Sequence, residues 1–85
     1  MRLIDGDSME RLSQVQLYLS AAEARRFVAE LEKLLADPEA SEHFHVFSED
    51  GGDEVLVSIL TPAKLAGKGY TPDERKAFGK WKPHG

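Results

Sequence analysis

The sequence has no cysteine among its 85 residues. Disulfide bonds, thiol nucleophiles and cysteine-based zinc sites are therefore excluded, and packing alone must hold the fold together. Long apolar runs are also missing: the longest, residues 55–60, is interrupted by Ser58 and is far shorter than the ~20 residues that cross a bilayer. Acidic residues and a glycine follow Met1 before an apolar signal-peptide region could form. We therefore expect a cytoplasmic protein without a membrane span.

The composition, with 41% hydrophobic and 31% charged residues, is typical of one small globular domain. The net charge of −4 is unevenly distributed, since residues 1–63 carry thirteen acidic and five basic side chains, whereas residues 64–85 carry six basic and two acidic ones. This asymmetry predicts an acidic body, residues 1–63, and a basic tail, residues 64–85, that is not an independent domain. The basic tail either lies on the acidic body and neutralises part of its charge, or has surroundings that differ from those of the body.

A strand and a capped amphipathic helix are predicted in succession. Val15, Leu17 and Leu19 alternate with polar residues over residues 14–19, as in a half-buried strand. Ser20 and Glu23 have the spacing of a capping box, so a helix should begin here. Its apolar stripe consists of Ala24, Phe27, Val28, Leu31, Leu34 and Leu35. The helix should end at Asp37-Pro38, because the residue before a proline avoids the helical conformation.

Residues 43–48 and 54–60 are predicted to form a hairpin with a two-residue loop at Gly51-Gly52. In that register Val46 lies opposite Val57. One face then carries Phe44, Val46, Val55, Val57 and Ile59, which we expect under the helix. The other face carries His43, His45, Phe47, Leu56, Ser58 and Leu60.

The basic tail has a second set of helix signals. Thr71 is a suitable N-cap, Pro72 fits the first helical position, and Gly79 is a stop signal, which predicts a short helix over Pro72–Phe78. The fold class is then α+β: a small three-stranded β-α-β-β sheet with the first helix on one face, and a short C-terminal helix. The second face of the sheet is partly apolar, which predicts that the tail or a homodimer covers it.

His43 and His45 point the same way from a strand and could share a metal ion. Two imidazoles are not a complete site, and nothing in the sequence fixes a third ligand such as His84, Glu42 or Glu49. We therefore favour histidines that cover a partly exposed sheet face, and predict no metal and no cofactor.

Acidic residues flank the glycine turn at positions 49, 50, 53 and 54. Such a cluster is usually a solvated loop, but it could also bind a basic protein surface, with the carboxylates imitating nucleic-acid phosphates. The serines and histidines have no spacing typical of nucleophilic catalysis, so we predict that the protein is not an enzyme.

The mixture of lysines and aromatic residues in the tail is found in proteins that bind single-stranded nucleic acid. Lys68, Lys76, Lys80, Trp81 and Lys82 would form such a site. The simpler interpretation is that Phe78 and Trp81 anchor the last helix, because an acidic chain repels a polyanion. Nucleic-acid binding is therefore the alternative to protein binding.

The succession of residues 15–20, the helix over residues 21–35, and the strands at residues 43–46 and 54–59 resembles small immunity proteins of bacterial polymorphic-toxin systems. The resemblance implies a non-enzymatic inhibitor that binds and blocks one cognate toxin; the tail has no counterpart in it. With the acidic turn and the exposed sheet face, it suggests a partner-binding set consisting of His43, His45, Phe47, Glu49, Asp50, Asp53, Glu54 and Trp81.

Overall fold

The computed structural model describes residues 1–84 and confirms the α+β class. Its elements in chain order are β1 (Leu3–Ile4), β2 (Arg11–Leu12), α1 (Ala21–Ala36), β3 (His43–Phe47), β4 (Glu54–Ser58), α2 (Pro62–Ala66) and α3 (Pro72–Phe78). They belong to two compact units, one formed by residues 18–60 and the other by residues 1–17 with residues 61–84. No helix of the described residues is long and apolar enough to span a membrane.

Helix α1 begins as the sequence predicts. The Ser20 hydroxyl accepts a hydrogen bond from the Glu23 N–H at 3.1 Å, and Glu23 Oε1 accepts one from the Ser20 N–H at 2.8 Å, which completes the capping box. The last helical residue is Ala36, directly before Asp37-Pro38. Local signals alone therefore account for both ends of this helix.

Strands β3 and β4 form an antiparallel hairpin in a register that differs from the expected one by two residues. Val46 lies opposite Val55, and Phe44 lies opposite Val57. The predicted pairing of Val46 with Val57 is wrong because the loop contains four residues, 49–52, rather than two: the Ser48 N–H donates to the Asp53 carbonyl at 2.9 Å. A shift of two residues preserves the alternation of side chains, so the predicted faces are retained.

The core of this unit lies between α1 and the hairpin. Leu34, Phe44 and Val46 are buried, and the half-buried side chains packed against them are Phe27, Leu31, Val57 and Ile59. The ring of Phe27 meets that of Phe44 edge to face, with centroids 6.0 Å apart. The remainder of the predicted stripe is less covered, since Val28 is 57% and Leu35 63% exposed.

The predicted strand at residues 14–19 is not formed, and the three-stranded β-α-β-β sheet is therefore not confirmed. The structure has two separate two-stranded sheets, β1 with β2 and β3 with β4. Val15, Leu17 and Leu19 are 48%, 50% and 43% exposed. The alternation in the sequence is real, but an alternating pattern becomes a strand only when another strand provides its hydrogen-bond partners.

In the second unit, residues 3–4 and 11–12 form the short β1–β2 pair, in which Leu3 lies opposite Leu12. Thr61 and Pro62 begin helix α2, which the sequence did not lead us to predict. The overlooked signal is a Thr-Pro pair, the same pair that begins α3 at Thr71.

Helix α3 has the predicted bounds, with a capping box between Thr71 and Glu74 and a positive φ of 60° at Gly79. The Arg75 guanidinium donates to the carbonyls of Leu65 and Gly67 and so joins α3 to the end of α2. Charged hydrogen bonds of this kind satisfy carbonyls that a helix end leaves without partners.

The two units differ in charge. Residues 18–60 carry ten acidic and three basic side chains, a net of −7, whereas residues 1–17 with 61–84 carry five acidic and eight basic ones, a net of +3. The boundary predicted after residue 63 separates an acidic from a basic part of the sequence. It does not divide the chain into the two compact units, because one unit combines residues 1–17 with residues 61–84.

Candidate functional site

The outer face of the hairpin, opposite the core, carries His43, His45, Phe47, Leu56 and Ser58. Along β3 the three rings form a row: the centroids of His43 and His45 are 5.0 Å apart, and the ring of His45 is stacked on that of Phe47 at 6.2 Å with an angle of 12° between the planes. Strand alternation produces this row, because every second residue points to the same face.

His45 is held from the neighbouring strand as well. Its Nδ1 lies 3.1 Å from Oε1 of Glu54. Both side chains are partly exposed, and such a pair contributes little to stability in water. Its effect is to orient the imidazole ring, which keeps the ring parallel to Phe47.

Phe47 and Leu56 are the exposed apolar side chains of this face, at 47% and 54%. Leu56 lies directly opposite His45 in the register, and Phe47 lies opposite Glu54. Cross-strand neighbours on one face are close enough to contact each other. The outer face is therefore an apolar and aromatic surface with a carboxylate at its edge.

The acidic tip, residues 48–53, is ordered by its own side chains. The Ser48 hydroxyl donates to Asp50 Oδ1 and accepts from the Asp53 N–H, and the Gly52 N–H also donates to Asp50 Oδ1 at 2.9 Å. The Ser48 hydroxyl, followed by the Gly52 N–H, holds the pKa of the Asp50 carboxyl below its ordinary value.

The tip is joined to α1 through Glu23, for which the sequence predicted only a role in the helix cap. Glu23 Oε2 accepts a hydrogen bond from the Glu49 N–H at 2.8 Å. The backbone N–H groups of Ser20 and Glu49 lower the pKa of the Glu23 carboxyl. No sequence signal could have identified this contact, because it joins residues 26 positions apart.

The seven partner-binding residues predicted in the hairpin, at positions 43, 45, 47, 49, 50, 53 and 54, do lie on one β-hairpin, either on its outer face or at its tip. The eighth, Trp81, belongs to the other unit. There the guanidinium of Arg2 lies 5.6 Å from the centre of the Trp81 ring, and Arg2 Nε donates to the Phe78 carbonyl at 2.8 Å. Trp81 therefore takes part in joining the N-terminal strand to the end of α3.

The described residues contain no group of three or more histidine, aspartate and glutamate side chains arranged to hold a metal ion. His43 and His45 contact each other edge to face, and Glu54 approaches only His45. The outer face can contact a partner through its aromatic rings, its exposed apolar side chains and the carboxylate of Glu54.

Comparison of the chain with known protein families, curated proteins and solved structures finds no match.

Proposed function

We propose that the protein is a non-enzymatic protein-binding module of the immunity type, which binds one cognate bacterial toxin in the cytoplasm and blocks it. The outer face of the hairpin would provide the apolar centre of the interface, and the acidic tip would contact a basic region of the toxin. The proposal rests on the geometry of the hairpin and on the sequence resemblance to small immunity proteins.

The observation that carries the proposal is the exposure of Phe47 and Leu56 on a face bordered by carboxylates. Protein interfaces commonly have an apolar centre with aromatic anchors and a polar rim. Phe47 is already positioned by the ring of His45, so little side-chain freedom is lost on binding. An aromatic anchor held in this way favours a protein partner.

The charge of the unit that carries this face supports a basic partner. Residues 18–60 have a net charge of −7, and the acidic tip concentrates part of it at one end of the hairpin. A negative field accelerates association with a positively charged surface and becomes weaker as the salt concentration rises. Binding should therefore be fast and sensitive to salt.

The surroundings of the histidines favour a binding role over catalysis. His45 contacts the carboxylate of Glu54 and the rings of two neighbours, and within residues 1–84 neither His43 nor His45 is hydrogen-bonded to a serine or threonine hydroxyl. Activation of a hydroxyl nucleophile requires a base within hydrogen-bond distance.

The test is co-expression of this chain with the product of each gene adjacent to its own, followed by binding measurements with any product that is toxic when expressed alone. The parent chain should restore growth and inhibit the toxin, and Phe47→Asp or Leu56→Asp should lose both effects. Ala29→Asp, which adds the same charge at an exposed position of α1, should behave as the parent does. Full protection by Phe47→Asp, or no inhibition by the parent, would contradict the proposal.

The alternative function, nucleic-acid binding by the tail, has less support. The ring of Trp81 contacts Arg2, and the ring of Phe78 contacts that of Tyr70 at 5.2 Å, so these aromatic side chains already pack within their own unit. Retention of a single-stranded oligonucleotide in a gel-shift assay at low salt, lost in Lys80→Glu, would favour this alternative over toxin binding.

A further inference from the structure

The two histidines of β3 lie side by side on the outer face of the hairpin. Their ring centroids are 5.0 Å apart, His43 is exposed, and the side chain of His45 is 38% exposed. Within residues 1–84, Nδ1 of His45 contacts Glu54, and the other ring nitrogens of this pair have no hydrogen-bond partner. Both rings can therefore present a nitrogen to a ligand from solution.

Glu54 determines which nitrogen of His45 is available. An ionised carboxylate only accepts hydrogen bonds, so Nδ1 of the neutral ring, 3.1 Å from Glu54 Oε1, carries the proton and Nε2 carries the free lone pair. Histidines that bind metal ions commonly have this arrangement, in which the second ring nitrogen donates to a carboxylate that orients the ring and makes the ligating nitrogen more basic. Glu54 thus prepares Nε2 of His45 for coordination.

The separation of the two rings fits coordination of one shared ion. An imidazole nitrogen lies about 2.0–2.1 Å from a bound metal ion and roughly 1.1 Å from its own ring centre, so two imidazoles at a right or tetrahedral angle have centroids about 4.5–5.2 Å apart. The distance of 5.0 Å between His43 and His45 lies within this range. Because His43 is exposed and makes no hydrogen bond within residues 1–84, its ring can rotate toward the ion without movement of the strand.

We propose that His43 and His45 together bind one transition-metal ion of the class that prefers imidazole, namely Zn²⁺, Ni²⁺ or Cu²⁺, with Glu54 as a positioning residue and water at the remaining coordination positions. The net charge of −7 on residues 18–60 raises the local concentration of cations. Ca²⁺ and Mg²⁺ should not bind here, because they prefer oxygen ligands. Two protein ligands give weaker, reversible binding than the four ligands of a structural zinc site.

The first test is isothermal titration calorimetry of the full chain with nickel chloride and with zinc chloride, up to millimolar metal. The parent should bind one ion per chain, and His43→Ala and His45→Ala should each lose this binding while circular dichroism shows that they stay folded. His84→Ala is the matched control, because His84 is the third histidine of the chain and an exposed residue of the other unit. It should bind the ion as the parent does.

Three results of this titration would overturn the proposal: no binding by the parent, unchanged binding in both β3 variants, or loss of binding in His84→Ala. Unchanged binding in both β3 variants would show an adventitious ion only. Since His43 makes no hydrogen bond within residues 1–84, the His43→Ala result stands even if His45→Ala disturbs the fold. No toxin is present in the measurement, so its outcome is independent of the proposed function.

The second test concerns the positioning role of Glu54. Glu54→Gln should weaken metal binding by about tenfold, because loss of a carboxylate partner of a ligating histidine typically costs 10–100-fold. Glu49→Gln, which removes the same charge at an exposed position of the tip, should bind nearly as the parent does. Nitrogen NMR of the metal-free parent should show His45 protonated at Nδ1, and Glu54→Gln should lose this preference. Equal weakening in both variants, or a parent His45 protonated at Nε2, would overturn the role of Glu54.

Discussion

The carboxylate of Glu23 accepts a hydrogen bond from the backbone N–H of Glu49 and thereby fixes the acidic tip of the hairpin to the first turn of α1. The same carboxylate closes the capping box with Ser20. One side chain therefore begins the helix and determines where the tip lies relative to it. A glutamate that serves two backbone donors is most effective when it is ionised.

Glu23→Gln should lower the melting temperature at neutral pH and reduce its dependence on pH. In the folded chain the pKa of Glu23 lies below its ordinary value of 4.5, so ionisation favours the folded state. This stabilisation is present in full above the unfolded pKa and is lost as the pH falls through the lower, folded pKa. Thermal unfolding of both chains between neutral pH and pH values below 4.5 checks the prediction.

Glu32→Gln is the control, because Glu32 is an exposed glutamate of the same helix. It should leave the melting temperature and its pH dependence close to those of the parent. A pH dependence that is the same in Glu23→Gln as in the parent would contradict the assigned role of Glu23.

Phe44→Ala should lower the free energy of unfolding by about 3–5 kcal/mol, the usual cost of removing a buried phenylalanine ring. Phe44 is 6% exposed, and its ring contacts that of Phe27. No described side chain is less than 2% exposed, so the core is small and few other buried contacts remain when this ring is removed. Since small domains have about 5–15 kcal/mol in total, a large unfolded fraction is expected. In urea denaturation Leu56→Ala, at an exposed position, should change the midpoint far less.

Gly51→Ala should destabilise the hairpin by roughly 1–2 kcal/mol. Gly51 has a φ of 76° at the tip, a conformation that is costly for a residue with a Cβ atom. Gly69→Ala provides the comparison, since Gly69 has no positive φ and open space around the added methyl group. Chemical denaturation should show a loss of stability in the first variant and none in the second.

Arg2→Met should shift the fluorescence emission of Trp81 to longer wavelength. Trp81 is the single tryptophan of the chain, and Arg2 both lies over its ring and donates to the Phe78 carbonyl beside it. Without the guanidinium the indole should become more accessible to water. Arg25→Met, at an exposed position of α1, should leave the spectrum unchanged; an identical shift in both variants would exclude a specific contact with Arg2.

Local signals determined the helices and the sorting of side chains. The helix caps at Ser20 and Thr71 could be predicted from the sequence, because a capping box depends on residues only three positions apart. The sequence correctly predicted that Phe44 and Val46 point into the core, because a register error of two residues leaves every side chain on the same face of the sheet. The candidate residues at positions 43, 45, 47 and 54 followed from the same alternation.

The tertiary structure decided the hairpin register, the fate of residues 14–19 and the second role of Glu23. Ser48 and Asp50 close a four-residue loop with hydrogen bonds that a glycine pair in the sequence does not reveal. The alternating segment forms no strand because backbone pairing requires a neighbour, which no pattern within one segment provides. A sequence pattern encodes what a residue and its near neighbours prefer, whereas contacts between distant residues exist only once the chain has folded.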